Sequence, residues 1–202
     1  MALVTVPIPS PAELRGGWAA LAAIQASRGW DDVSADADEW RYHDGGGNWA
    51  LLRFLDEGRA VLFGHDHEYS QTYFRDAAEY FGEPETDLLA GAPDWWSADL
   101  RTPKHGEWIG FVYGWDGERW QRAAYDLDDG FRSVGLLTAG DLDTLRAFAE
   151  DAPGLDGPPD DRDLTALVAA DADVTRDLLE RVVPGWDVAV GVEMGRRFLR
   201  HP

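Results

Sequence analysis

The chain reads as an α+β protein: a mainly antiparallel sheet of four to six strands built from two hairpins, an N-terminal helix packed on it, and a helical C-terminal third. Three observations predict this. A capped run of helical periodicity opens the chain. Two pairs of apolar, alternating segments follow, each joined by an acidic turn ending in or containing Gly. The last third returns to helical spacing, broken by Pro and Gly.

In the opening helix, Ser10 suits the N-cap, Pro11 the first helical position, and Glu13 completes a capping box. Leu14, Trp18, Leu21 and Ile24 then recur on one face, and Gly29 is a natural stop, so the helix is expected from Pro11 to Arg28. A short strand is expected at Glu39–His43. The first hairpin pairs Trp49–Leu55 with Arg59–Gly64 across Asp56-Glu57-Gly58. Tyr73, Phe74, Ala77, Ala78 and Phe81 place a helical stripe in Ser70–Phe81. Gly82–Lys104, interrupted by Pro84, Pro93 and Pro103, reads as a long loop, of the kind that is usually functional or mobile.

The second hairpin pairs Glu107–Gly114 with Arg119–Asp126 across Trp115-Asp116-Gly117-Glu118. Alternation puts Ile109, Phe111 and Tyr113 on one face, and Trp108 and Val112 on the other. Phe131–Leu137 is expected to extend the sheet. Beyond it, Thr138 is expected to cap a helix carrying Leu142, Leu145, Phe148 and Ala149. Two more helices follow at Leu164–Ala169 and Val174–Val183, with Asp163 and Asp173 as caps. Trp186 to Arg200 is ambiguous: Val188, Val190 and Val192 alternate like a strand, whereas Trp186, Val190, Met194 and Phe198 fit a helix, which Arg196, Arg197 and Arg200 favour by complementing a helix C-terminus. The organisation is thus residues 1–137, helix plus sheet core, and 138–202, an acidic helical region.

Composition narrows the function classes. Apolar residues make up 45% of 202, enough for a core. There is no Cys, which removes disulfides, thiolate metal sites and cysteine nucleophiles and fits a reducing cytoplasm. Met1–Pro7 lacks a basic n-region and a long apolar stretch, so no signal peptide is expected, and no run approaches the ~18 apolar residues of a membrane span. A net charge of −20 repels nucleic-acid phosphates and anionic lipid and favours a basic partner. Ala139–Glu180 holds twelve acids and three Arg, a net of −9. One Lys against seventeen Arg, with abundant Ala, Gly and Asp, points to a GC-rich bacterial genome.

Two places attract functional interest. His65-Asp66-His67-Glu68 is the densest group of ligands and proton carriers. In an extended strand His65 and His67 share a face and can grip one divalent metal. Both hairpins should release their second strand at the same end of the sheet. That brings Asp126, Asp128 and Asp129, with His43 and Asp44, toward the His cluster. His65, His67, Glu68 and Asp126 are therefore the candidate set for Zn²⁺, Fe²⁺ or Mn²⁺. The competing reading is structural: histidines satisfying buried carbonyls, and Asp66 capping the following turn. The second place is aromatic. Trp95, Trp96, Trp108, Trp115 and Trp120 form either a partner-binding surface near the second hairpin or a wall of the core.

Weaker motifs add little. Gly45-Gly46-Gly47-Asn48 precedes a strand and lacks the Lys and Ser/Thr of a phosphate loop. Ser70 follows the His cluster without a nucleophile elbow around it. The order of N-terminal helix, antiparallel sheet and acidic helical tail resembles the small bacterial immunity proteins of the SUKH type, which bind and block toxins. That resemblance lies in element order and acidity and transfers no residue. It implies a protein-binding or neutralising module for a basic partner. The alternative is a metal-dependent enzyme or small-ligand protein using the His cluster.

Overall fold

The computed structural model describes residues 3–104 and 106–200. It is α+β, with seven strands paired antiparallel and six α-helices, in two compact units. The first unit is Met1–Ser10 with His43–Gly135, and the second is Pro11–Tyr42 with Leu136–Pro202. The crossing at Gly135 lies close to the sequence boundary at 137. The crossings at Ser10 and Tyr42 lie beside the Pro7–Pro11 and Gly45–Gly47 runs.

The first unit holds strands β1 (Leu3–Val6), β4 (Trp49–Phe54), β5 (Ala60–His65), β6 (Phe111–Trp115) and β7 (Trp120–Ala123), in the order β1-β7-β6-β5-β4. Both expected hairpins form, with Leu52 opposite Leu62 in the first; in the second, Trp115, expected in the turn, is the last residue of β6 and lies opposite Trp120, and β7 stops at Ala123, not Asp126. The second is shorter than expected, because Glu107–Gly110 stays irregular before β6. Ile109 consequently leaves the Phe111–Tyr113 face and joins Val112 in a core with Trp49, Phe63, Phe74, Leu88 and Trp96. Phe111 and Tyr113 pack on Phe131 across the other face. Phe131–Leu137 is not a strand. Gly130 and Gly135 both take positive φ there, and the segment turns back with Phe131 and Val134 buried. One strand of this unit is unexpected, β1, which pairs with β7 and has too few residues before Pro7 to show a pattern.

The second unit contains β2 (Ser34–Ala35), which pairs with β3 (Glu39–His43, all but His43 in this unit), and helices α1 (Pro11–Arg28), α3 (Leu142–Ala149), α4 (Asp161–Ala169), α5 (Arg176–Val182) and α6 (Val188–Arg197). Among the described residues, α2 (Asp76–Phe81) is the one α-helix of the first unit. Helix α1 has the expected limits. Its sequence predicts one apolar face, yet everything from Gly16 to Ser27 is buried, because its small residues let neighbours approach on several sides: α6 at Ala19 and Ala23, and Val168 and Gly140 at Gly16 and Gly17. Trp18 stacks on Trp40 and Tyr42 of β3 and on Phe198.

The C-terminal helices start at other caps than expected. Leu136–Thr138 forms a 3-10 turn, and α3 starts after Asp141. Asp160 and Thr175 cap α4 and α5, accepting from Arg162 N and Leu178 N, in place of Asp163 and Asp173. Those two carboxylates pair instead with Arg181 and Arg196. The ambiguous closing segment is helical, with Asp187 accepting from Ala189 N and Val190 N. No described helix is long and apolar enough to cross a membrane.

Candidate functional site

All segments at the end of the sheet where β5 and β7 exit lie in the first unit, and the exits do converge. Gln71 N donates to Asp128 O (2.7 Å), and Ser70 Oγ donates to Asp129 O (2.8 Å) while accepting from Asp66 N (3.2 Å). Asp66 caps the turn it opens, its Oδ1 accepting from Glu68 N and Tyr69 N at 2.9 and 2.8 Å. The Gly45-Gly46-Gly47-Asn48 run is likewise a turn, closed on Asp44 Oδ1 by Gly46 N and Asn48 N.

The tightest part of this junction is Asp129, which is buried. Its Oδ2 accepts from the hydroxyls of Tyr113 (2.6 Å) and Tyr125 (2.7 Å), and its Oδ1 from Phe131 N (3.2 Å). Burial first, and the nearby Asp129 carboxylate second, push both phenols far above their ordinary range. They therefore remain donors. The network ties the strand exits together, and both phenolic hydrogens are committed to the same oxygen.

The metal candidates are not gathered at one point. Strand β5 ends at His65 and the chain turns at Asp66, so His65 and His67 do not share an extended face. His67 is exposed, with its backbone N–H and Nδ1 both 3.0 Å from Asn48 Oδ1. Glu68 lies 4.0 Å from His67 Nε2, while Asp126 sits in a groove with Arg122, Tyr125 and Val4–Val6 of β1. Among the described residues, no group of three or more His, Asp or Glu side chains is placed to hold a metal. Asp128 and Asp129 are engaged in turns and the tyrosine network.

His65 is half-buried, and desolvation outweighs the attraction of Asp66, lowering it to about 4. The unfolded value is near 6.5, so the unfolded chain takes up a proton first as pH falls. Stability from neutral His65 is full above about pH 6.5 and is lost as pH drops toward 4, by about 2–3 kcal/mol in all. In an NMR titration, the His65 ring signals should stay at their neutral positions from pH 7 to about 5. In His65→Gln the corresponding acid slope should disappear from denaturation curves.

The tryptophans divide. Trp96 and Trp120 are core residues, each 1% exposed. Trp96 fills the space over Gly114, where a Cβ would lie 2.0 Å from its ring. Trp120 Nε1 donates to Pro9 O (2.8 Å). Trp95 is half-buried against Trp96, beneath the Arg59 guanidinium, and Trp115 is half-buried on Trp120. Only Trp108 joins an exposed aromatic group, its ring 5.1 Å from Tyr80 and 5.7 Å from Phe81. Tyr80 is 72% and Phe81 50% exposed, and Tyr73 extends the group at 5.5 Å from Phe81.

Helix α2 explains why Tyr80 and Phe81 face outward. It starts only at Asp76, after Arg75 with φ 52°, so Tyr73 and Phe74 precede it. Ala77 and Ala78 face inward, which leaves Tyr80 and Phe81 outside, and Gly82 in the left-handed region ends the helix directly after them. A stripe running from Tyr73 to Phe81 assumed one continuous helix. The usable sequence signal was Tyr80-Phe81-Gly82 set among acids without a basic residue from Asp76 to Asp87. Asp76, Glu79, Glu83, Glu85 and Asp87 are all exposed, and none makes an ion pair with a described residue. In contrast, six of the twelve acids of Ala139–Glu180 are paired with arginines.

Comparison of the chain with models of protein families, with curated proteins and with solved structures finds no match in any of the three. The functional reading therefore rests on the chemistry of these residues.

Proposed function

We propose that this protein is a binding module, of a neutralising, immunity-like kind, for a basic protein partner, and that the Tyr80–Phe81–Trp108 face receives it. The observation that carries this reading is an exposed aromatic cluster bordered by five carboxylates that make no ion pair with a described residue. Exposed aromatic groups cost free energy in water and are typical anchors of interfaces. Unpaired carboxylates around them steer a cationic partner and align it. The net charge of −20 adds long-range attraction of the same sign. The C-terminal acids support it less, since half of them already face arginines.

Selection of a random-peptide display library against the protein tests this without requiring that the natural partner be identified. The enriched peptides should carry an excess of Arg and Lys. Their binding should fall at least tenfold in Tyr80→Ser/Phe81→Ser, a loss of about 1.4 kcal/mol or more. It should also weaken sharply in about 0.5 M salt, where the Debye length is short. Circular dichroism should show the variant folded, because both side chains are largely in solvent. Enrichment of neutral or acidic peptides, or binding indifferent to both the variant and salt, would overturn the proposal.

A further inference from the structure

A cavity of about 170 Å³ opens beside the aromatic face and shares Trp108 with it. Its floor is apolar: Phe74 and Ile109 are buried members of the core, and half-buried Leu100 packs against them. Its charged lining is balanced, with Asp76 and Glu107 against Arg75 and Arg101. Both arginines have partners within the chain, Arg75 lying 4.6 Å over the Phe74 ring and Arg101 Nη1 lying 3.4 Å from Asp99 O. The volume is well below the ~300–1,000 Å³ of small-molecule pockets and is on the scale of one amino-acid side chain. An ion placed there would find as much repulsion as attraction. A large uncharged side chain would withdraw its apolar surface from water without that balance of charge mattering.

We infer that this cavity seats a single large apolar side chain, of Phe, Leu or Met size, from the partner, with that residue's basic neighbours reaching the carboxylates of Asp76–Asp87. This rests on the proposed binding of a basic partner and adds its recognition element: one apolar anchor flanked closely by Arg or Lys. The two parts use different physics. The anchor gains from burying its apolar surface on the Phe74–Leu100–Ile109 floor of a recess whose walls are otherwise largely polar, and the flanking cations from charge complementarity at an exposed, salt-sensitive rim.

Three synthetic peptides separate them: Gly-Arg-Arg-Gly-Phe-Gly-Arg-Arg-Gly, its Phe→Ala form, and its form with every Arg replaced by Gln. Binding is followed by Trp fluorescence and by NMR shifts of the Ile109 and Leu100 methyls. The Phe peptide should bind at least tenfold more tightly than the Ala peptide and should shift both methyls. In Thr102→Phe, which fills the cavity from its own lining, that advantage should vanish while the preference for Arg over Gln persists. An unchanged thermal midpoint and circular dichroism would certify that variant's fold. Equal binding of the Phe and Ala peptides, or an advantage that survives Thr102→Phe, overturns the anchor inference and leaves the basic-partner reading intact. Equal binding of the Arg and Gln peptides overturns that reading itself. Failure of all three to bind overturns both.

Discussion

Asp129→Ala should destabilise the protein by about 3–5 kcal/mol, since each hydrogen bond to a charged group contributes roughly 1.5–3 kcal/mol and one buried and one half-buried hydroxyl lose their acceptor. The phenols of Tyr113 and Tyr125 converge on a single carboxylate oxygen, and neither keeps another acceptor when it is removed. Their burial prevents water from substituting freely. Asp129→Asn retains an oxygen acceptor of nearly the same shape and should cost markedly less. Tyr113→Phe and Tyr125→Phe each remove one donor without leaving an orphan, and their losses should sum to less than that of Asp129→Ala. Urea denaturation of the four variants at neutral pH measures this directly. If Asp129→Ala matched Asp129→Asn, the tyrosine network would not be what holds the strand exits together.

Gly191→Ala should destabilise the second unit by about 3 kcal/mol, the upper end for overpacking a close helix contact. Gly191 lies on α6 where it faces α1. An added Cβ would sit 2.0 Å from Ser27 Oγ, 2.5 Å from the Ala23 carbonyl oxygen and 2.7 Å from a Leu179 methyl. Ser27 can rotate at the loss of its 2.8 Å bond to Ala23 O, but the backbone carbonyl cannot move without displacing a helix. Gly195, one turn on, has its nearest neighbour at 2.8 Å, the end of the Val174 side chain, so Gly195→Ala should cost less. Val190→Ala, at an exposed position of the same helix, should change stability by under about 0.5 kcal/mol and serves as the control. Thermal denaturation of the three gives the order expected: Gly191, then Gly195, then Val190.

Much of the architecture is legible in the residues alone. Helix α1 carries its own start and stop, and both hairpins combine alternation with turn residues that suit a reversal. These are local properties, decided within a few residues, and they survive into the fold. The convergence of His65–Gln71 with Asp128–Asp129 is also accessible, because it follows from strand direction alone. So is the capping role of Asp66, which needs nothing beyond the next three residues.

Which groups meet is a different matter. The pairing of β1 with β7 joins segments more than a hundred residues apart, and no local pattern in Leu3–Val6 announces it. Thr138, Asp163 and Asp173 have the right chemistry for caps, but capping depends on where tertiary packing starts a helix. Trp96, Trp120 and Trp108 are chemically identical. The first is held in the core by the bare backbone of Gly114, the second by the Pro9 carbonyl, and the third is left in an exposed cluster with Tyr80 and Phe81. His65, His67, Glu68 and Asp126 have the composition of a metal site, and a single turn at Asp66 separates the two histidines. The sequence by itself determined helix α1, the two hairpins, the helical character of the last third and the acidity that any partner must meet. Only the tertiary structure decided which side chains are buried, because burial is set by the long-range packing of surfaces that no local window contains.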